Sequence, residues 1–253
     1  SRFSGCGSAA RRSHRPDMTA RTARPSRPRP VIAIDGPAGA GKSTVALRLA
    51  QHLGFVLVDT GALYRGVALA AQEAGIDWND ADALGELTGK LQFEIQPVPD
   101  GAPRLLIDGR DRSEDIRTPE ISLGASDVSK HPSVRTGLLE LQRKLGREGG
   151  VVLEGRDIGT VVFPDAELKV FLTAAAESRA ERRVSDLAGR GIMADFGQTL
   201  EEIKLRDARD ATRSVAPLRA AVDAVTLDTT HLDVDSVVAH LANLAQLARR
   251  NGA

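Results

Sequence analysis

The chain has 253 residues and a formal net charge of zero, with 42% hydrophobic and 27% charged residues, so it is the size of one large α/β domain with insertions or of two small domains. A single cysteine, Cys6, excludes an intrachain disulfide and a multi-cysteine zinc site and indicates a reducing compartment, so we expect a cytoplasmic protein. No apolar run approaches the roughly 18 residues that span a bilayer, so no membrane association is expected.

The zero net charge conceals a basic first segment, residues 1–30. It holds eight arginines, no lysine and one acid, Asp17, so the rest of the chain has a net charge of −7. Several prolines and almost no large apolar side chains predict that this segment is disordered. We interpret it as a dispensable extension, or as residues upstream of a natural start at Met18, rather than as a nucleic-acid-binding arm.

The first predicted strand, Val31–Asp35, leads directly into a glycine-rich motif of the form G-x-x-x-x-G-K-[ST]. The motif consists of Gly36, Pro37, Ala38, Gly39, Ala40, Gly41, Lys42 and Ser43. Glycines let several backbone N–H groups point at one anion, and the start of the following helix, predicted over Lys42–Leu53, adds partial positive charge. Lys42 is expected to reach the β- and γ-phosphates and Ser43 to ligate Mg²⁺, so the chain is predicted to bind a nucleoside triphosphate.

Apolar runs then alternate with helical patterns, which predicts a parallel sheet with helices on both faces. The other strands are predicted over 55–58, 151–154, 168–172 and 224–227. The other helices are predicted over 62–74, 132–146, 175–188, 200–213 and 234–249. Thr199 and Glu202 form a capping box that places the start of the fifth helix.

Residues 91–108 interrupt this alternation. Residues 91–96 have a period of two, 97–103 are rich in Pro and Gly, and 104–108 follow as a second short apolar run. This pattern predicts an antiparallel hairpin, inserted between core helices as a lobe that covers a site.

Two polar clusters follow predicted strands at their carboxyl ends, where ligands bind in open α/β sheets. Tyr64 and Arg65 follow the second strand, and Arg65 is suited to clamping an acceptor phosphate; a packed Tyr64 beside a solvated Arg65 is the alternative. Arg156 and Asp157 follow the third strand between two glycines, a placement that favours binding over a surface ion pair.

Arginine-rich stretches fall on two later helices. The first group consists of Arg206, Arg209, Asp210 and Arg213. The second group consists of Arg179, Arg182, Arg183 and Arg190. The first group shares one helical face, which is either solvated or surrounds a moving phosphoryl group with positive charge. The second ends at a glycine-flanked break and is predicted to close over a triphosphate and exclude water.

Taken together, these residues resemble the bacterial cytidylate kinases, a family of the nucleoside monophosphate kinase group. The resemblance extends from about Val31 to the C-terminal helix. It is carried by the blocks 34–44, 59–65, 155–164, and 206–210 with 214–217. It implies an α/β P-loop NTPase fold with a parallel five-stranded sheet, helices on both faces, an inserted acceptor-binding lobe with a small antiparallel sheet, and an arginine-bearing lid.

The resemblance also implies transfer of the γ-phosphoryl group of ATP to CMP or dCMP, with Mg²⁺, in pyrimidine nucleotide recycling. It divides the chain into the tail 1–30 and a kinase domain 31–250, with core segments 31–60, 148–178 and 192–250, an acceptor-binding insert at about 61–147 and a lid at about 179–191. A monomer is expected, because no exposed apolar helix seam stands out. A P-loop kinase of a small metabolite such as shikimate or gluconate is the alternative, and a GTPase switch is disfavoured because the chain has no Asn-Lys-x-Asp motif.

Site residues follow from the resemblance by position. The ATP-binding loop is implied to run from Gly36 to Thr44, with Ser43 as the metal ligand. The residues implied to bind CMP are Thr60, Tyr64, Arg65, Ser126, Arg135, Arg156, Asp157, Arg206, Asp210 and Arg213. The implied catalytic residues are Lys42, Arg156, Arg182 and Arg206, and the implied lid arginines are Arg179, Arg182 and Arg190.

Base selection has a physical rationale at Asp157, which is implied to lie near the cytosine with Ser126, Arg135 and Arg213. Cytosine has an amino donor at N4, where uracil has a carbonyl, so a carboxylate accepts from the first and repels the second. A site built around such a hydrogen bond discriminates by about 10⁴ or more. No residue distinguishes CMP from dCMP.

Overall fold

The structure is a computed structural model that describes residues 27–99 and 101–251. In chain order its strands are β1 (Val31–Asp35), β2 (Val56–Asp59), β3 (Phe93–Gln96), β4 (Arg104–Ile107), β5 (Arg110–Asp111), β6 (Val151–Gly155), β7 (Leu168–Thr173) and β8 (Val225–Asp228). Its α-helices are α1 (Lys42–Leu53), α2 (Thr60–Glu73), α3 (Ala81–Lys90), α4 (Pro119–Val128), α5 (Pro132–Gly146), α6 (Ala176–Ala188), α7 (Phe196–Thr212) and α8 (Val234–Asn251).

The central sheet has five parallel strands in the order β2-β6-β1-β7-β8. This confirms the predicted parallel sheet. Strand β1 lies in the middle and is buried along its whole length, which explains its uninterrupted apolar run. The carboxyl ends of β1, β2 and β6 meet at one edge of the sheet, so the residues that follow them share one site.

Helices cover both faces of this sheet, as predicted. On one face, α1 and α8 pack against β1 through Leu49, Leu241 and their neighbours. On the other face, Leu139 and Leu145 of α5 pack against a second cluster that contains Leu153. None of the helices in the described part of the chain has the length and apolar character needed to cross a bilayer.

The predicted capping box at the start of the fifth predicted helix is wrong. Helix α7 begins at Phe196, and Asp195 caps it by accepting from the N–H of Gln198 at 2.8 Å. The Thr199 hydroxyl donates to the Asp195 carbonyl at 2.7 Å instead of accepting from Glu202. Asp195 at the N-cap satisfies a free N–H group of the first turn, so α7 starts about one turn earlier than predicted.

The insert between β2 and β6 has its own small sheet, in the order β3-β4-β5. The predicted hairpin is present as the antiparallel pair β3 and β4. A third strand, β5, was not predicted; it follows a tight turn in which Asp108 and Gly109 have φ angles of 50° and 76°. An Asp-Gly pair favours this turn, because both positions need a positive φ.

Two helices of the insert, α3 and α4, were also not predicted. Asp80 caps α3 and Thr118 caps α4, each by accepting from a backbone N–H of the first turn. Both helices pack into a core that belongs to the insert and is built on Leu63, Leu84 and Ile121.

The end of the predicted disordered tail lies in the fold. Residues 1–26 lie outside the described residues, but Arg27 donates to Asp165 at 2.5 Å and to Glu167 at 3.0 Å. The carbonyl of Pro30 accepts from the N–H of Gly150 at 3.0 Å. The disorder predicted for residues 27–30 is therefore wrong, because these residues are held against the amino ends of the strands.

Candidate active site

The phosphate-binding loop joins β1 to α1 at the carboxyl edge of the central sheet. Its first residue, Gly36, has a φ of 149°, and a Cβ atom there would lie 2.0 Å from the carbonyl oxygen of Leu172. Only glycine fits this crossing over β7. Gly39 and Gly41 also have positive φ angles, of 75° and 87°, so the backbone curls and the start of α1 faces the enclosed space.

Lys42 is buried, with 6% of its surface exposed, and its Nζ donates to the carbonyl of Pro37 at 2.8 Å. Burial, together with Arg156 and Arg206, lowers the pKa of Lys42 to about 7, although Glu154 acts in the opposite direction. The ammonium form of Lys42 is therefore destabilised, mainly by burial, and an anion such as a triphosphate would stabilise it.

A buried acid, Glu154, faces the loop from the end of β6. One of its oxygens, Oε2, accepts from the Ser43 hydroxyl at 2.9 Å, while Oε1 is buried without a hydrogen-bond partner. Burial and the nearby Asp59 raise the pKa of Glu154 to about 7. An unpartnered buried oxygen beside a hydroxyl indicates a place where a cation or a donor is bound.

The last residue of β2 pairs with a residue in the second turn of α2. Asp59 caps the helix by accepting from the N–H of Ala62 at 3.1 Å, and its other oxygen accepts from Arg65 at 2.7 Å. Burial pushes the pKa of Asp59 up, but Arg65 and the helix N–H outweigh it and hold that pKa below its usual value. The Arg65 Nε is buried without a partner, so the guanidinium keeps a free donor.

Two further arginines converge on the same space. Arg156 donates to Asp210 at 3.0 Å, which confirms that the β6 end and the α7 face come together. Arg206 has a buried Nε without a partner, and burial together with Arg156 lowers its pKa to about 10. Arg65 also acts on Arg206, so three guanidiniums lie close to one another, with Asp59 and Asp210 as their bonded carboxylates.

A second group of charges surrounds Asp157, which is 5% exposed. Arg135 of α5 forms an ion pair with one carboxylate oxygen, and Arg213 lies 3.9 Å from the other. The Arg135 guanidinium also lies over the ring of Tyr64, 5.5 Å from its centroid. Ser126 of α4 is buried as well. Buried charged and polar groups of this kind are suited to hydrogen-bonding a heterocyclic base.

The sequence as a whole matches one family. The family model described as "Cytidylate kinase" matches residues 32–247, which is nearly all of the described chain. The chain belongs to the cytidylate kinase family. The cytidylate kinase of Exiguobacterium sibiricum is 51% identical over 85% of this chain and 96% of its own length, and that of Syntrophotalea carbinolica is 52% identical over 82% and 88%.

Solved structures give a more distant likeness. A gluconokinase from Sinorhizobium meliloti 1021 aligns with 88% of this chain and 96% of its own, with 18% identity and a TM-score of 0.44. A match at this level does not bear on the acceptor that the cytidylate kinase chain uses.

In this member of the cytidylate kinase family, Arg179 is anchored rather than free. It forms two hydrogen bonds with Asp207, at 3.0 and 2.6 Å, and also donates to the carbonyls of Ala174 and Ala38 at 2.9 and 3.2 Å. It thereby ties α6 and α7 to the phosphate-binding loop.

Replacing Arg179 by Met is expected to lower the free energy of unfolding by about 3 kcal/mol, because the partner carboxylate loses its counter-charge and a loop carbonyl loses its donor. Urea denaturation measures this change. Arg209→Met, at an exposed position of α7, serves as the control and should shift stability by no more than about 0.5 kcal/mol. Equal effects of the two substitutions would contradict the anchoring role.

The other predicted lid arginines lie farther along α6. Arg182 donates to the carbonyl of Thr229 at 2.6 Å, and the Thr229 hydroxyl donates to the carbonyl of Ala40 in the loop at 3.1 Å. Arg190 lies in the turn after α6 and is exposed. The structure therefore groups Arg179 and Arg182 around the loop and leaves Arg190 apart from them.

A cleft of about 500 Å³ opens beside Ser43, Arg65 and Glu154. The small sheet of the insert borders it on one side, and Arg183 and Arg190 border it on another. Ser43 and Thr44, at the end of the phosphate-binding loop, thus share one opening with Arg65.

Sequence reasoning did not assign roles to four acids of this site. They are Asp35, Asp59, Glu154 and Asp207. The first three end an apolar strand, and a charged residue at that place was the signal available. Thr60 was assigned to CMP, but its hydroxyl donates to the carbonyl of Glu154 at 2.7 Å.

Proposed function

We propose that this member of the cytidylate kinase family transfers the γ-phosphoryl group of ATP to CMP or dCMP, giving ADP and CDP or dCDP. The observation that carries the proposal is the placement of Lys42 in the phosphate-binding loop together with Arg156, which is bonded to Asp210, and Arg206, whose Nε is buried without a partner. Buried cations are costly unless they are paired with negative charge, and the triphosphate of ATP and the phosphate of CMP supply such charge.

On the donor side, the loop from Gly36 to Thr44 holds the triphosphate through its backbone N–H groups, and Lys42 moves from the Pro37 carbonyl to the β- and γ-phosphates. Arg182 supports the loop from α6. This role is supported by its bonds to Thr229, which in turn bonds the loop.

On the acceptor side, Arg65 and Arg156 hold the phosphate of CMP, supported by the free Nε of Arg65. The residues next to the phosphate and sugar are Thr60, Tyr64, Arg206 and Asp210. The cytosine lies among Ser126, Arg135, Asp157 and Arg213, which supply a carboxylate acceptor and guanidinium donors.

The donor set also fits Mg²⁺. Ser43 and the unpartnered oxygen of Glu154 are hard oxygen ligands, and we propose that these two hold the ion together with the phosphates of ATP. No cluster of three or more His, Cys, Asp or Glu side chains suited to a metal occurs in residues 27–99 and 101–251, which agrees with an ion held largely by the nucleotide. When bound, the ion neutralises charge on the β- and γ-phosphates.

The reaction needs little more than positioning. A CMP phosphate oxygen forms a bond to the γ-phosphorus while the bond to the β,γ-bridging oxygen breaks, and ADP leaves with that electron pair. A phosphate monoester has a second pKa of about 6, so the attacking group carries no proton that must be removed at pH 7. Lys42, Arg156 and Arg206 stabilise the charge, and closure of the lid excludes water as a competing acceptor.

We also propose that three parts of the chain have separate roles, as the sequence predicts. The parallel sheet and its helices bind ATP, the insert at about 61–147 binds CMP, and the segment at about 179–191 closes the site. The separate hydrophobic core of the insert supports this division, because a lobe with its own core can move as a unit.

Initial rates with ATP and each of CMP, dCMP, UMP, AMP, shikimate and gluconate test the proposed function. CMP and dCMP are expected to give values of kcat/KM at least about 100-fold above those of the other acceptors, because uracil offers no amino donor to Asp157 and the remaining acceptors lack a pyrimidine base for the residues proposed around it. A higher value for shikimate or gluconate would replace the proposal by a small-metabolite kinase.

A further inference from the structure

Asp35, the last residue of β1, is a buried carboxylate that the contacts proposed above leave unused. Only 4% of its surface is exposed. Its Oδ1 accepts from the N–H of Ile158 at 2.8 Å, and its Oδ2 accepts from the N–H of Gly159 at 2.8 Å. Each oxygen therefore holds one N–H group of a segment more than a hundred residues farther along the chain.

These two N–H groups begin a single π-helical turn, Ile158–Val162, which directly follows Arg156 and Asp157. The residue before a helical turn usually caps it, but the side chain of Asp157 makes no capping hydrogen bond. Its carboxylate is engaged by Arg135 instead. Asp35 supplies from a neighbouring strand the acceptors that a local cap would supply.

The π-helical turn fits closely between Asp35 and Lys169. A Cβ atom on Gly159 would lie 3.4 Å from Oδ2 of Asp35 and 3.2 Å from the Lys169 side chain, so the turn is held between β1 and β7. Burial and Asp157 raise the pKa of Asp35 to about 6, against the effect of its two hydrogen bonds and of Lys42. Burying a carboxylate at position 35 costs more free energy than burying a neutral side chain would.

We infer that Asp35 is a positioning residue that fixes the segment bearing Arg156 and Asp157 to the strand carrying the phosphate-binding loop. Gly36, the next residue, begins that loop. Asp35 therefore fixes the position of the proposed CMP-binding segment relative to the ATP-binding loop. The inference rests on the proposed function, since it concerns the placement of CMP relative to ATP. A displacement of about 1 Å between reacting groups costs about 10²-fold in rate.

The variant Asp35→Asn tests this inference, because it keeps the size of the side chain but presents one N–H₂ group to a backbone N–H. The kcat/KM for CMP is expected to fall about 10²-fold, whereas the dissociation constant of a non-hydrolysable ATP analogue should change by less than about threefold. Asp77→Asn is the matched control, because Asp77 is exposed and also accepts from a backbone N–H, that of Asn79 at 2.9 Å.

Hydrogen exchange gives a readout that does not depend on turnover. In Asp35→Asn, peptides covering 155–163 should lose protection while those from β6 and β7 keep it. Gly159→Ala leaves Asp35 in place, and its Cβ atom would press on the Lys169 side chain at 3.2 Å rather than on Oδ2 of Asp35, so protection of 155–163 should be kept.

Each outcome decides the matter. An unchanged kcat/KM for CMP, or equal losses of ATP-analogue binding and of protection throughout the sheet, would overturn the positioning role. Absence of CMP turnover in the unsubstituted chain would refute the proposed function instead, and the exchange experiment would still show whether Asp35 holds the segment.

Discussion

Replacing Lys42 by Ala is expected to lower kcat/KM for CMP phosphorylation by about 10³-fold. Lys42 is the one buried ammonium group in the described part of the phosphate-binding loop, and its Nζ lies 2.8 Å from the loop carbonyl that it must leave to reach a phosphate. Removal of a single group that stabilises developing charge costs about 10²- to 10³-fold, and cations on a transferring phosphoryl group are at the upper end. Initial rates at varied ATP and CMP measure the loss.

The same variant should remain folded. Burial and two neighbouring arginines lower the pKa of Lys42, so its charge opposes folding when no nucleotide is bound. Thermal unfolding of Lys42→Ala without nucleotide should therefore occur at the same temperature as in the unsubstituted chain or slightly above it. Lys204→Ala, at an exposed position of α7, is the control and should keep full activity. Normal turnover by Lys42→Ala would exclude this lysine from the mechanism.

The parallel sheet could be predicted because its central strands are short apolar runs, buried on both faces, between helical patterns. Strand β8, at one edge, is only partly buried. Helices α3 and α4 could not be recognised in the same way. Each has ten residues, contains glycine, and buries only part of one face, so its period is weak. Their caps, Asp80 and Thr118, were visible, but a single capping residue also occurs in turns.

The candidate site was predictable where one motif is continuous in sequence and unpredictable where two distant segments meet. The loop from Gly36 to Thr44 follows from spacing alone. The bond from Ser43 to Glu154 joins residues 111 positions apart, and the bond from Asp35 to Ile158 joins residues 123 apart. The order of the strands in the sheet brings these distant residues together, and the sequence pattern does not predict the order β2-β6-β1.

The arginines illustrate the same limit. Spacing predicts that Arg206, Arg209, Asp210 and Arg213 share one helical face. The structure agrees only in part: Asp210 accepts from Arg156 and lies 3.9 Å from Arg213, but Arg209 is exposed and Arg213 follows the end of α7. Spacing does not predict that Arg179 donates its hydrogen bonds to Asp207 and to backbone carbonyls. Charge alone cannot separate an arginine that binds a ligand from one that holds two helices together.

The second large expected effect is on the choice between CMP and UMP. Asp157→Asn is expected to reduce the ratio of kcat/KM for CMP to that for UMP by about 10²-fold. The carboxylate accepts from the cytosine amino group and repels the uracil carbonyl, whereas an asparagine amide donates to that carbonyl. Asn is preferred to Ala, because its oxygen still accepts from Arg135, which is 9% exposed and would otherwise lose its buried partner.

The readout separates selection from general damage. Loosening of the site lowers both values of kcat/KM and leaves their ratio unchanged, whereas a lost acceptor lowers the value for CMP and raises that for UMP. Asp235→Asn, at an exposed position paired with Arg48 on the surface, removes the same charge far from the base and should leave both values unchanged. Because Arg135 and Arg213 both face Asp157, the asparagine also leaves two guanidiniums with less counter-charge, which favours the carbonyl-rich uracil further. A ratio that stays constant in Asp157→Asn would show that the cytosine is recognised elsewhere.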